Sequence, residues 1–197
     1  MKRIYLVGFM GCGKSAVGRR LSFLLKLPFY DMDKEIVRQT GKTIPEIFEL
    51  NGEEYFRNLE TQFLRNHSHD NCIISTGGGV ALRAENRKIM RETGLVLFLD
   101  APFREIWRRI HNDVNRPIVR NSTREEIEAL FKSRYRHYKA AAHITIRTEF
   151  RTLRQITQYA AFSSESSKRR MILFFIIESF AFLDSTEKLF ALPPYQC

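Results

Sequence analysis

The sequence predicts an α/β fold, a three-layer α/β/α architecture built on a five-stranded parallel sheet, and three observations carry that prediction. Short apolar runs alternate with longer amphipathic stretches along most of the 197 residues, which is the pattern of successive strand–helix–strand units. The first run, Arg3 to Val7, leads through a glycine-rich turn into Ser15 to Leu25, where Val17, Leu21, Leu24 and Leu25 recur at helical spacing. Hydrophobic residues make up 44% of the chain and charged residues 27%, enough apolar material for one domain with a real core.

The turn itself reads Gly8-Phe9-Met10-Gly11-Cys12-Gly13-Lys14-Ser15 and fits G-x-x-x-x-G-K-[ST] between a strand and a helix, the context that gives this motif meaning. Glycines let the backbone bend until several N–H groups point at one spot, and the following helix adds its positive end. Such a loop cradles di- and triphosphates. Lys14 is expected to reach the β and γ phosphates, and the Ser15 hydroxyl to ligate the magnesium ion that bridges them. Met1-Lys2-Arg3 before an apolar stretch has the look of a short signal peptide, but the stretch runs straight into Gly-Lys-Ser and reads as a strand.

Leu27 to Asp33 is the second strand candidate, and Asp31 and Asp33 would share one of its faces. Two carboxylates at a strand's carboxyl end beside a phosphate loop suit magnesium and a hydroxyl-bearing substrate. The alternative is a pair of caps for the helix that follows. Thr40-Gly41 stops that helix, Thr43 with Pro45 opens the next, and Asn51-Gly52 is expected to end it. Glu53 to Asn66 forms a further helix carrying Arg57, which taken alone is a solvated helix arginine. Cys72 to Thr76 is the third strand and runs into Gly77-Gly78-Gly79. Three glycines admit a ligand close to the backbone, or serve as flexible punctuation before the helix from Arg83 to Arg91. Gly94 is expected to cap that helix, and Leu95 to Leu99 forms a fourth strand ending in Asp100, a competitor of Asp31 for the magnesium side.

Arg104, Arg108, Arg109, Arg116, Arg120 and Arg124 lie close together in sequence. The polar stretch of about residues 112–122, with Arg116 inside it, reads as a mobile lid that places a guanidinium on the transferring phosphoryl group. Thr123 and Glu126 make a capping box for the helix to about Ala142, His143 to Thr148 alternates as a fifth strand, and Thr152 to Phe162 is the last helix of the pattern.

The net charge is +10, and all of the excess lies in residues 1–162, because the remainder carries four basic and four acidic residues. Nucleic acid is not the expected partner, since the basic residues are interrupted and no recognition helix or RNP-like pattern is present. Three cysteines make neither a disulfide framework nor a zinc pattern, so a reducing, cytoplasmic setting is expected. No histidine pair has helical metal-ligand spacing, and His67-Ser68-His69 is expected to end a helix in solvent. Residues 163–197 form an atypical tail whose apolar run, Met171 to Leu183, is too short to span a bilayer. A docked helix, a membrane-surface helix and a run-on from an altered reading frame all remain open for it.

Taken together, the chain from Met1 to about Phe162 resembles the shikimate kinase family of nucleoside monophosphate kinase-like P-loop enzymes. The resemblance rests on the Gly8–Ser15 loop, Asp31-Met32-Asp33, Gly52-Glu53-Glu54-Tyr55-Phe56-Arg57 with Glu60, and Gly77-Gly78-Gly79. Arg116-Pro117 and the Arg134-x-x-x-Tyr138 spacing add to it. It implies a P-loop kinase fold with a mobile lid, an ATP-dependent kinase acting on the 3-hydroxyl of shikimate in aromatic amino-acid biosynthesis, Mg²⁺ as cofactor, and a monomer. It further implies that Gly11, Cys12, Gly13, Lys14, Ser15 and Ala16 hold the ATP phosphates, with Ser15 on the metal and Asp31 supporting it through water. Asp33, Arg57, Gly77, Gly78, Gly79 and Arg134 would hold shikimate, Arg116 would be the lid arginine, and Arg109 and Arg151 would lie on the adenine side. Lys14, Asp33 and Arg116 would carry catalysis, and Asp100 becomes a structural strand end.

Two positions depart from the family pattern: Arg147 stands where an aspartate is common, and Arg136 where a proline is. Kinases of another small hydroxy acid such as gluconate would keep the P-loop and lid without the Asp33, Arg57, triple-glycine and Arg134 set. A GTPase should carry Asn-Lys-x-Asp, which this chain lacks.

Overall fold

The computed structural model describes residues 3–112, 119 and 122–164. Arg116, most of the expected lid and the tail from residue 165 onward lie outside the described residues. Five parallel strands form one sheet in the order β2-β3-β1-β4-β5: β1 is Arg3–Val7, β2 Phe29–Asp31, β3 Ile73–Ser75, β4 Gly94–Asp100 and β5 Ile144–Arg147. Helices α1 (Lys14–Leu25), α2 (Met32–Thr40), α3 (Ile44–Asn66), α4 (Ala84–Thr93), α5 (Phe103–Ile110), α6 (Arg124–Ala141) and α7 (Leu153–Ser164) flank it, giving the three-layer α/β/α arrangement. Residues up to Ala161 form one compact unit; of the second unit, Phe162–Cys197, the described residues Phe162 to Ser164 are helical.

Strand β1 is the centre. Ile4, Tyr5, Leu6 and Val7 are all buried, as a strand covered on both faces requires. From β1 the chain crosses to β2 on one side, and from β3 it crosses back to β4 on the other. Ligand sites in open parallel sheets lie at the carboxyl ends of the strands where the order reverses. Here that edge carries Gly8, Asp31, Ser75 and Asp100, because Asp31 pairs with Ser75, Leu6 with Ser75 and Val7 with Phe98.

Several boundaries differ from the sequence expectation for local reasons. Strand β2 begins after Pro28, because the Leu27 N–H closes the end of α1 by donating to the Ser22 carbonyl. It also ends at Asp31, which occupies the N-cap position of α2, so Asp33 sits in the first helical turn and does not share a strand face with Asp31. Gly52 ends the first helical half of α3 as expected: it takes φ 80 and ψ 171, a conformation that favours glycine, and redirects the chain into the second half. Both threonine capping boxes, Thr43 with Glu46 and Thr123 with Glu126, are formed. His67 does not end α3 in open solvent: its ring lies 4.8 Å edge-on to Tyr30, and its Nε2 lies 3.5 Å from the Cys72 Sγ. Burial pulls the His67 pKa down and pushes the Cys72 thiol up to about 11. Among the described residues no helix is long and apolar enough to cross a membrane.

Gly94 caps α4 as expected, its N–H donating to the Met90 carbonyl, and is also the first residue of β4, so its extended backbone is open to any residue. The need for glycine is spatial, since a Cβ there would meet the Arg3 carbonyl oxygen at 2.4 Å and the Tyr5 ring at 2.7 Å. Gly94→Ala should push β4 from β1 and destabilise the protein by about 1–3 kcal/mol, read as a lower denaturant midpoint with an unchanged m-value.

Candidate active site

The glycine-rich loop is built by conformation and by close packing. Gly11 and Gly13 take φ +76 and +99, and a Cβ on Gly11 would strike the Ile110 side chain at 2.5 Å, so the loop rests against α5. At the start of α1, Lys14 is held by the loop itself: its Nζ donates to the carbonyls of Gly8 at 2.8 Å and Phe9 at 3.0 Å. Cys12 is buried, with its Sγ 3.9 Å from the same ammonium. Arg109 on α5 donates to the Gly11 carbonyl at 3.1 Å while pairing with Glu105. One of the two expected adenine-side arginines therefore lies on the loop. Arg151 instead lies 5.4 Å over the Tyr159 ring of α7.

Beside the loop, the Ser15 hydroxyl donates to Asp31 Oδ2 at 2.8 Å and lies 3.3 Å from the Ser75 hydroxyl. The Asp31 side chain does not cap α2, so the capping alternative gives way to this oxygen cluster. Ser75 had no role in the sequence reading; its only signal is being the last strand residue before Thr76 and the glycines. These groups line a cavity of about 250 Å³ together with Met10, Gly11, Gly13, Lys14, Ala16, Asp33, Thr76 and Gly78. A larger cavity of about 420 Å³, lined by Tyr30, Arg38, Gln62, His67 and His69 among others, holds none of the expected site residues. Asp100 is a structural strand end that accepts from the Tyr135 hydroxyl at 3.1 Å.

The second half of the site is a charge cluster around Gly77, Gly78 and Gly79. Arg57 on α3 is 8% exposed and not a solvated helix arginine. Its Nη2 donates to Glu53 at 2.7 Å and its Nη1 to Glu60 at 2.8 Å. The glycines are needed for room. A Cβ on Gly79 would lie 2.2 Å from Arg57 Nη1, and one on Gly77 would lie 2.5 Å from Glu60 Oε1 and 2.9 Å from Asp33 Oδ1. From the opposite side Arg134 on α6, also buried, donates its Nη1 to the Gly78 carbonyl at 3.5 Å. Asp33, Arg57, Gly77, Gly78, Gly79 and Arg134 are thus brought together next to the loop cavity.

Glu60 is the residue whose importance sequence reasoning left unassigned. It is fully buried; Oε2 takes the Arg57 bond and Oε1 has no hydrogen-bond partner among the described residues. Burial raises its pKa to about 7, against the pull of Arg57, and the nearby Asp33 charge pushes the same way as burial. Its spacing three residues from Arg57 on an otherwise apolar helix face was the available signal.

Since the folded pKa of Glu60 is raised from 4.5 to about 7, the unfolded chain releases this proton first as pH rises. Stability should fall across pH 4.5 to 7 and level off above. Denaturant titrations at several pH values should show that this component of the slope is absent in Glu60→Gln.

Comparison with known proteins places the chain in a family. The family model for shikimate kinase matches residues 10–162. A shikimate kinase of Nitrosospira multiformis is 42% identical over 160 residues, 80% of this chain and 82% of that protein. The solved shikimate kinase from Acinetobacter baumannii, in complex with shikimate, matches with a TM-score of 0.77 at 40% identity, covering 81% of this chain and 90% of that one. A gluconokinase from Sinorhizobium meliloti shares the fold alone, with a TM-score of 0.50 at 14% identity over 88% of this chain and 96% of that one. With a matched span reaching from the phosphate loop to the last described helix, the chain belongs to the shikimate kinase family.

Proposed function

We propose that the loop cavity and the charge cluster are the two halves of one phosphoryl-transfer site. As a shikimate kinase, the protein transfers the γ-phosphoryl of ATP to the 3-hydroxyl of shikimate, giving shikimate 3-phosphate and ADP. The observation that carries the residue-level reading is the convergence of Asp33, Arg57 and Arg134 on the triple-glycine backbone, directly beside the cavity of Lys14 and Ser15.

The roles follow from chemistry. Gly11 to Ala16 hold the ATP phosphates through backbone N–H groups at the positive end of α1, and Lys14 moves from the loop carbonyls to the β and γ phosphates. The Ser15 and Asp31 oxygens fit Mg²⁺, which takes few protein ligands and keeps water and phosphate oxygens; bound there, it neutralises charge on the transferring group. Arg57 and Arg134 take the shikimate carboxylate, a planar match for a guanidinium. The Arg134 Nε is buried without a hydrogen-bond partner among the described residues and is available to that carboxylate. Asp33 orients the acceptor hydroxyl and takes its proton. Arg109 borders the adenine, and Arg116 is the lid arginine. Arg151 is placed on the adenine side by family pattern alone. Two free, buried cysteines, Cys12 and Cys72, support a reducing cytoplasm, and we read the protein as a monomer.

ADP release from MgATP should require shikimate and stay at background with gluconate; release with gluconate alone would discard the acceptor. Asp33→Asn should lower kcat on the order of a hundredfold while changing the shikimate KM by far less. Similar changes in both would leave Asp33 a binding residue and remove its proton role.

A further inference from the structure

Tyr138 lies on α6 one turn after Arg134 and is 1% exposed. Its hydroxyl donates to the Gly78 carbonyl, the same oxygen that accepts from Arg134 Nη1 at 3.5 Å. Its ring stacks on Phe98 of β4 at 5.5 Å and 29°. Phe98 is itself buried and pairs in register with Val7, the last residue before the phosphate loop. The phenol is therefore anchored at its ring to the strand beside β1 and at its oxygen to the middle glycine.

That glycine joins both halves of the site. A Cβ on Gly78 would lie 3.6 Å from the Met10 backbone nitrogen, so its backbone runs alongside the phosphate loop. Its two neighbours, Gly77 and Gly79, lie against Glu60 with Asp33 and against Arg57. Glycine backbone is intrinsically loose. Among the described residues, the Gly77 and Gly79 carbonyls accept from the short turn that follows, Val80 N–H to Gly77 O and Leu82 N–H to Gly79 O. The position of the Gly78 peptide is thus set from the α6 side. Burial holds the Tyr138 phenol above its ordinary pKa, so it remains a neutral donor through the physiological range.

We infer that Tyr138 is a positioning residue for phosphoryl transfer: its hydroxyl pins the Gly78 carbonyl, which fixes the triple-glycine backbone against Arg57 and sets the acceptor-side distance to the phosphate loop. This rests on the shikimate kinase reading above for its substrate. It adds that the hydroxyl acts without touching substrate, through the loop.

The test is Tyr138→Phe in the full-length chain, which keeps the ring stack on Phe98 and removes one oxygen. Steady-state kinetics with MgATP and shikimate should show a shikimate KM raised about tenfold, the scale of one lost buried hydrogen bond. The ATP KM should stay within about twofold, since the loop and Lys14 are untouched. Hydrogen exchange at the Val80 and Leu82 amides should quicken in the variant with no substrate present, a readout that holds whatever the acceptor proves to be. Phe98→Leu, which keeps the hydroxyl and loses the stack, should lower the melting temperature while leaving the ratio of the two KM values near that of the wild type. Unchanged exchange at Val80 and Leu82 together with an unchanged shikimate KM in Tyr138→Phe would overturn the proposal, as would equal rises in both KM values. Quickened exchange in a protein that releases no ADP with shikimate would uphold the pinning role and reject the substrate reading instead.

Discussion

A guanidinium packed against bare backbone is the contact on which the proposed acceptor half of this site depends. Arg57 occupies the space that any side chain on Gly79 would fill. A buried cation is tolerated only when its charge is met, and Glu60 meets it from inside the protein while Glu53 meets it from the rim. Glu60 in turn lies where a side chain on Gly77 would stand, close to Asp33. The glycines, the arginine and the two glutamates therefore form one arrangement in which each member needs the others.

Sheet order places that arrangement beside a phosphate site. Strand β1 delivers the loop, β2 delivers Asp31 and then Asp33 in the first turn of α2, and β3 delivers Ser75 and the glycines. Because β3 lies between β1 and β2, the glycines emerge next to the loop, and the kinked α3 brings Arg57 and Glu60 over them. Water is kept from the cluster by the depth of Glu60 and Arg134, which strengthens each charge interaction there. A phosphoryl group has little covalent help to gain from the protein, so the geometry of two halves held at a set separation is what such a site supplies.

Much of this was legible in the chain. The phosphate loop is a contiguous motif flanked by the elements it needs, and all five strands stand where apolar runs of strand length predict them. Both capping boxes were readable because they depend on residues three apart. Contacts between distant segments were hidden. Beyond the Glu60 spacing, little local to Arg57 says that it is buried, since it packs against the distant Gly79. The end of β2 was misplaced because Asp31 serves strand and helix at once. Gly94 caps its helix as read, but the reason for glycine there, the approach of Arg3 and Tyr5, belongs to strand pairing and was hidden. Ser75 and Tyr138 were unassigned for the same cause: each acts on a group far away in sequence, Ser75 on Ser15 and Tyr138 on Gly78.

Gly79 has φ −107 and ψ −6, a backbone that alanine also adopts, so Gly79→Ala adds a methyl group against Arg57 with little conformational strain of its own. Calorimetric titration of shikimate into the wild type and this variant is the most direct test of the acceptor site. The variant is expected to lose at least about tenfold in shikimate affinity while a non-hydrolysable ATP analogue binds both proteins within about twofold. Equal shikimate affinity in the two proteins would show that the Arg57–Gly79 contact does not build the acceptor site.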